Sequence, residues 1–246
     1  MTRSRIWPRE SDMSEWKAKR FWKQALVVED GQRFAVELDG RPVKTPAKAA
    51  LHLPTRGMAR AVATEWDAQE GVIDPRGMPF TRSANAAIDK VAHQHGEVAD
   101  MLAGYGDSDL LCYRAESPAE LIARQAEKWD PALAWAREEL AVNLAVFKGV
   151  VHRPQARDDL ARLSARVNGF NHFQMAAFHD LVSLSGSLIL GFATAFGWRG
   201  ADDIWQLSQV DENWQAEQWG VDEEAQQMSS VKKQAFVHAK AFFDLS

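Results

Sequence analysis

Two histidine groupings, one cysteine and one spaced pair of glycines have residue types suited to catalysis or ligand binding. His93-x-His95, and His172 with His179-Asp180, offer the imidazole and carboxylate donors that hold zinc. A zinc site needs three or four donors converging at about 2.0–2.3 Å. Neither grouping has obvious further partners, so ordinary surface or core histidines are expected. Cys112 lies between Leu110-Leu111 and Tyr113. A nucleophilic thiolate needs a base and electropositive surroundings, and this setting reads instead as that of a small buried hydrophobe. Glu138 and Glu139 are adjacent, so on a helix they diverge and cannot share a substrate. No G-x-G-x-x-G follows a strand, and Gly186-x4-Gly191 lacks the Lys-Ser/Thr that would grip a phosphate and magnesium. Those glycines read as helix packing. No catalytic residue, metal or cofactor is expected. The competing reading is an enzyme of unrecognised type using His93/His95 or Cys112.

Aromatic content points elsewhere. Ten tryptophans stand against two tyrosines, and tryptophan supplies large contact area to cores and interfaces alike. Projected as one helix, residues 201–219 place Ile204, Leu207, Val210 and Trp214 on one side. Trp205, Ser208, Glu212, Gln215 and Trp219 fall on the other. Two tryptophans bracketing an acid and an amide resemble a protein-binding face, with aromatic anchors around a polar centre. The alternative is a second helical layer that buries this side, in which case Glu212 needs a partner, because a buried unpaired carboxylate is costly.

The elements that would position these residues divide in two. From Ala25 the chain alternates apolar and polar residues, interrupted by Asp30-Gly31 and Asp39-Gly40. Such pairs suit type I′ hairpin turns, which need positive φ at both central positions. With a further run over 49–53, an antiparallel meander of about four strands is expected. Thr55 is a good N-cap for a helix bearing Met58, Val62 and Trp66. Beyond Pro79 the pattern is mostly helical. Ser117-Pro118-Ala119-Glu120 reads as a capped start, and Asp130-Pro131 as a kink or restart. Short strands are expected over 109–115 and 144–151, and one buried helix over 181–198. The fold class is therefore α+β: a charged lead (1–20), a small antiparallel β-rich N-terminal domain (21–85) and a larger α-helical domain (86–246).

The 246 residues, 46% hydrophobic and 26% charged, suffice for a sizeable core. A net charge of −5 argues against a general nucleic-acid binder. Nine acids and three bases from position 201 onward concentrate −6 there, which commonly marks a solvated face. One cysteine permits no internal disulfide and suits a reducing compartment. The opening residues, with no apolar run, do not resemble a secretory signal. Residues 181–198 are uncharged but diluted by serine and glycine, so a buried helix is favoured over a membrane span.

Several motifs have a familiar look. Phe21-Trp-Lys23, Leu38-Asp-Gly-Arg-Pro-Val-Lys-Thr-Pro46, Leu53-Pro-Thr55, Glu65-Trp-Asp-Ala-Gln69, Ile73-Asp-Pro75 and Ala86-Ala-Ile-Asp89 resemble the N-terminal motifs of the F1 ATP synthase assembly chaperones that bind the α subunit. Asp109-Leu-Leu-Cys-Tyr-Arg114, and Asp211-Glu212 with Gln215, Trp219-Gly220 and Asp222-Glu-Glu224, resemble its later landmarks. The match spans about residues 21–225. It implies a non-enzymatic, cofactor-free chaperone that covers the apolar interface of free F1 α subunit until β replaces it. From charge and hydropathy, a protein without stable membrane insertion or nucleic-acid binding is expected, and a monomer. A bacterial cytoplasmic member is expected, or a mitochondrial-matrix one were the source eukaryotic. The family's late acidic residue corresponds to Glu212, beside Asp211; with Trp205, Gln215 and Trp219 these form the expected partner-binding site.

Overall fold

The computed structural model describes residues 19–246. Apart from Lys19 and Arg20, the charged lead expected over 1–20 lies outside the described residues.

Alternation produces the sheet. Strands β1 (Ala25–Asp30), β2 (Arg33–Leu38) and β3 (Arg41–Pro42) pair antiparallel in that order, with Ala25 opposite Leu38 and Leu38 opposite Arg41. Asp39 and Gly40 both have positive φ, 49° and 80°, as a type I′ turn requires. The first turn differs, because Asp30 itself pairs with Arg33; Gly31 alone takes positive φ, 63°. The fourth strand does not form. β3 spans only two residues and covers one end of β2, so Leu53 bridges the other end through Phe34.

Helix α1 (Arg56–Asp67) closes over this sheet with Met58, Ala59, Val62 and Ala63. The Thr55 hydroxyl accepts from the Met58 amide, as the sequence suggests. Three residues of the Glu65–Gln69 motif then secure neighbouring backbone. The Glu65 carboxylate accepts from the Phe80 and Thr81 amides at the start of α2 (Pro79–Asp89). Asp67 accepts from Ala25 N, and Gln69 Oε1 from Asp74 N.

The remaining helices are α3 (His95–Gly104), α4 (Ala119–Glu139), α5 (Arg157–Asn168), α6 (His172–Ser185), α7 (Leu188–Ala195), α8 (Ala201–Ser208), α9 (Val210–Trp219) and α10 (Glu223–Asp244). Two expected strands shrink to a parallel two-residue pair, β4 (Tyr113–Arg114) and β5 (Phe147–Lys148). Pro118, not Ser117, takes the N-cap position of α4. That helix also runs through Pro131 instead of restarting. Pro131 sits on its exposed side, where water can serve the carbonyl left without a donor, while Trp129, Ala132 and Ala136 stay buried.

The 181–198 segment is two helices rather than one. Gly186, at φ 70°, ends α6, and Ser187 caps α7 by accepting from the Leu190 amide. Close approach requires Gly191: a Cβ there would lie 2.6 Å from Val182 Cγ2. Buried Asp109 holds this bend, accepting from Ser187 Oγ (2.8 Å), Ile189 N (3.0 Å) and Leu111 N (3.0 Å). No described helix is long and apolar enough to cross a membrane.

Burial pushes the Asp109 carboxyl up to about 6 against the opposing pull of these donors, whereas it titrates near 4 in an unfolded chain. Between these values the folded chain holds the extra proton. Stability is therefore greatest below about pH 4 for this group and declines as pH climbs through about 6. Asp109→Asn cannot titrate. In urea denaturation, the stability of the parent chain relative to this variant should fall by on the order of 3 kcal/mol between pH 4 and 7. A difference constant with pH would show that Asp109 does not titrate there.

Candidate functional site

The face expected on a continuous 201–219 helix is broken at Gln209, whose backbone (φ −109°, ψ 19°) leaves the helical region between α8 and α9. No glycine or proline marks this change of direction. Trp205 is consequently not on an open face: it is 2% exposed, with its ring 5.6 Å from Phe236 of α10. Ser208 is buried too, its hydroxyl donating to Trp205 O at 2.7 Å. The second-layer alternative therefore holds for α8 alone.

On α9, Asp211, Gln215 and Trp219 line one cleft of about 620 Å³, together with Trp214 and Gln218. The start of α4 and the chain from Tyr113 to Pro118 form the opposite wall, and Gly149 and Val150 one end. Polar bonds fix the walls. Asp211 Oδ1 accepts from Gln125 Nε2 at 2.7 Å, while Gln125 Oε1 accepts from Ala115 N at 2.8 Å. Arg124 pairs with Glu217 at 2.7 Å, and its guanidinium lies 4.8 Å from the Trp214 ring centroid. Below them, Trp129 Nε1 donates to Leu207 O, and Arg114 stacks over the Trp129 ring while pairing with Asp130. The hydrogen bond with Arg124 also holds the Glu217 carboxyl below its ordinary range.

Glu212 points away from this cleft. It lines a neighbouring one of about 500 Å³ with Met228, Ser229 and Lys232 of α10. It is exposed and makes no hydrogen bond or ion pair among the described residues. The five expected site residues are thus distributed over the core (Trp205), one cleft (Asp211, Gln215, Trp219) and the adjoining slope (Glu212).

Sequence reading placed Trp219 on the open face but missed the valines beside it. Trp219 is 79% exposed, Val150 94%, and Val151 and Val221 are also largely open. A short strand is expected over 144–151, but β5 ends at Lys148 and leaves the following valines in solvent. No signal in the local pattern separates these valines from strand residues.

The other chemical candidates are engaged or isolated. His93 is exposed, and a His95 ring nitrogen contacts Phe170 O at 2.8 Å. Cys112 is fully buried, and burial, followed by the nearby Asp109 charge, drives its thiol well above the ordinary range. It is thus poorly suited to be a nucleophile. His179 pairs with Asp180 at 3.0 Å, which raises its pKa. Among the described residues no three His, Cys, Asp or Glu side chains are arranged to hold a metal. What the α9 region can do is make non-covalent contact.

The overall structure is similar to a crystal structure of Atp12 from Paracoccus denitrificans. That protein is 47% identical, with a TM-score of 0.91 over 94% of this chain and 99% of that one. The chain belongs to the ATP12 chaperone family. The family's sequence profile, described as ATP12 chaperone protein, matches residues 19–137 of this ATP12-family chain. A crystal structure of a protein from Agrobacterium tumefaciens is 39% identical, with a TM-score of 0.86 over 92% of this chain and 84% of that one. The mitochondrial atp12 protein of Schizosaccharomyces pombe is 25% identical over 224 residues, spanning 86% of this chain and 77% of its own.

The two tryptophans should respond oppositely to truncation in this family member. Trp205→Ala should cost about 3–5 kcal/mol in urea denaturation, as for a large core side chain. Trp219→Ala should stay within about 0.5 kcal/mol. Similar losses from both would mean that Trp219 is also structural.

Proposed function

We propose that this ATP12-family protein is an assembly chaperone of the F1 ATP synthase that holds the free α subunit through the α9 cleft and its apolar rim until β replaces it. Family membership supports the F1 assembly role. The observation that carries the surface assignment is the 79% exposure of Trp219 beside Val150 and Val221, on an α9 helix clamped to α4. Exposed aromatic and aliphatic side chains on a firm base bind without a large ordering cost. Free α presents apolar surface meant for β, a liability to aggregation that such a rim can cover.

Asp211 and Gln215 would supply the polar centre, and Glu212 on the adjoining slope a carboxylate for a basic or amide donor of the client. Trp205 would act indirectly, by seating α8 on α10. The holding step is contact alone, with no bond made or broken, no cofactor and no nucleotide. Exchange for β requires only that β bind the same client surface more tightly. We place the protein in a bacterial cytoplasm, since its relatives from Paracoccus and Agrobacterium are bacterial, and take it to act as a monomer.

The purified protein mixed with α alone, β alone, or both should capture α and not β, and release α when β is added. Capture of β alone, or indifference to unpartnered α, would overturn the reading. Within that assay, Glu212→Lys and Trp219→Ala should each weaken α capture about 30-fold, the scale of an interface hot spot of about 2 kcal/mol. Their circular-dichroism melts should match the parent. Undiminished capture would remove the residue concerned from the site.

A further inference from the structure

A different face of α10 borders a third cleft, about 870 Å³, whose other walls are α2, α3, α6 and the short turns beside α2. Val231, Gln234, Ala235 and His238 of α10 line it at helical spacing, while Phe236, Ala239 and Phe242 face the core. Val231 is 60% exposed. Across from it stand Val98 of α3 and Ala176 of α6, so the trough has an apolar floor.

The walls determine what kind of chain fits. No strand lines it: apart from Lys90 and Gln94 the walls are helical, and a helix satisfies most of its backbone groups internally. The cleft therefore presents no strand edge for an extended peptide to extend. An incoming segment must bring its own backbone already hydrogen-bonded, as an amphipathic helix does. The α2 terminus is closed as well, because Glu65 occupies the Phe80 and Thr81 amides.

Charge selects the sequence of that helix. Three cations stand at the α2 side: Arg76, Arg82 and Lys90. Arg76 is bound to Asp74, whereas Arg82 and Lys90 make no ion pair among the described residues. The acid lining the trough, Asp180, is bound to His179. His238 adds no positive charge at neutral pH, since burial holds its pKa below the ordinary value. Arg82 and Lys90 are eight residues apart, about 12 Å along a helix axis. A helix lying beside α2 would match them with two carboxylates about two turns apart.

We infer that this trough is a docking site for an amphipathic, acidic helix of a partner protein. Its apolar face rests on Val231, Ala235, Ala176 and Val98, and two acids two turns apart meet Arg82 and Lys90. This site does not depend on the α9 assignment, since the two clefts share no lining residue.

The test uses the full chain and three fluorescein-labelled helical peptides of about 18 residues, long enough to hold helix in isolation. They share a Leu/Ala face and carry Glu, Lys or Gln at two polar-face positions seven apart. Anisotropy titration should show saturable binding of the Glu peptide, about ten-fold tighter than the Lys peptide, weakening with salt. The Arg82→Glu/Lys90→Glu double variant should reverse that order, and Val231→Asp should abolish binding of all three. These side chains are exposed, so the melts should match the parent. If the double variant does not fold, Val231→Asp decides. No saturation by the Glu peptide, equal affinity for Glu and Lys peptides, or binding unaffected by Val231→Asp would each overturn the inference. So would binding to phosphatidylglycerol vesicles with none to the peptides.

Discussion

One buried carboxylate holds the helical region in its observed form. Asp109 takes donors from three places: the turn that leads into β4, the hydroxyl that caps α7, and the first amides of α7. A helix N-terminus favours a negative charge, because its amides point outward unpaired. Burial disfavours the same charge, and the two effects leave Asp109 delicately placed between its ionised and neutral forms. The consequence is geometric. With Gly186 in the left-handed region and Gly191 against Val182, the bond network turns an apolar run into two packed helices. On this hinge rests the core of Trp129, Phe178 and Phe192, against which α8 and α9 are seated.

The motifs that make the family recognisable turn out to be fasteners. Glu65, Asp67 and Gln69 spend their polar atoms on backbone groups of α2, β1 and the chain at Asp74. Arg114 does the same for Leu111 O while covering Trp129, and Gln125 joins Ala115 to Asp211. Some tie segments distant in sequence, such as Asp67 with Ala25 and Gln125 with Asp211, and others lock a local turn; replacing one would leave a wholly or partly buried donor or acceptor unpaired. Such residues identify the scaffold. The apolar rim of the surface proposed for the client is instead made of valines and one tryptophan, whose types are common everywhere and whose exposure is their distinguishing property.

That surface sits on a stiff support. Ion pair, cation–π contact and amide bridge join α9 to α4 within two turns of helix. Individually, exposed ion pairs contribute little; together with the amide bridge they restrict how far α9 can shift. A rigid base lets the exposed rim meet a partner without first paying for its own ordering. The trough across α10 is bordered by Arg82 and Lys90, which make no ion pair among the described residues.

Local rules were enough for much of the fold. Alternation with Asp-Gly turns specified the sheet, Thr55 the start of α1, and apolar periodicity the helical remainder, because each depends on neighbours in sequence. The motifs identified the family for a similar reason, since their spacing survives without knowledge of contacts. The placement of Trp205 in the core and Trp219 in solvent was decided only by tertiary structure. α10 covers Trp205 through Phe236 and leaves Trp219 open, and the helix is broken between them at Gln209, in a stretch without glycine or proline. Likewise Pro131 is tolerated because its side of α4 faces water, and Val150 is open because β5 stops early. Exposure is a property of what packs nearby, and no residue encodes its own neighbours.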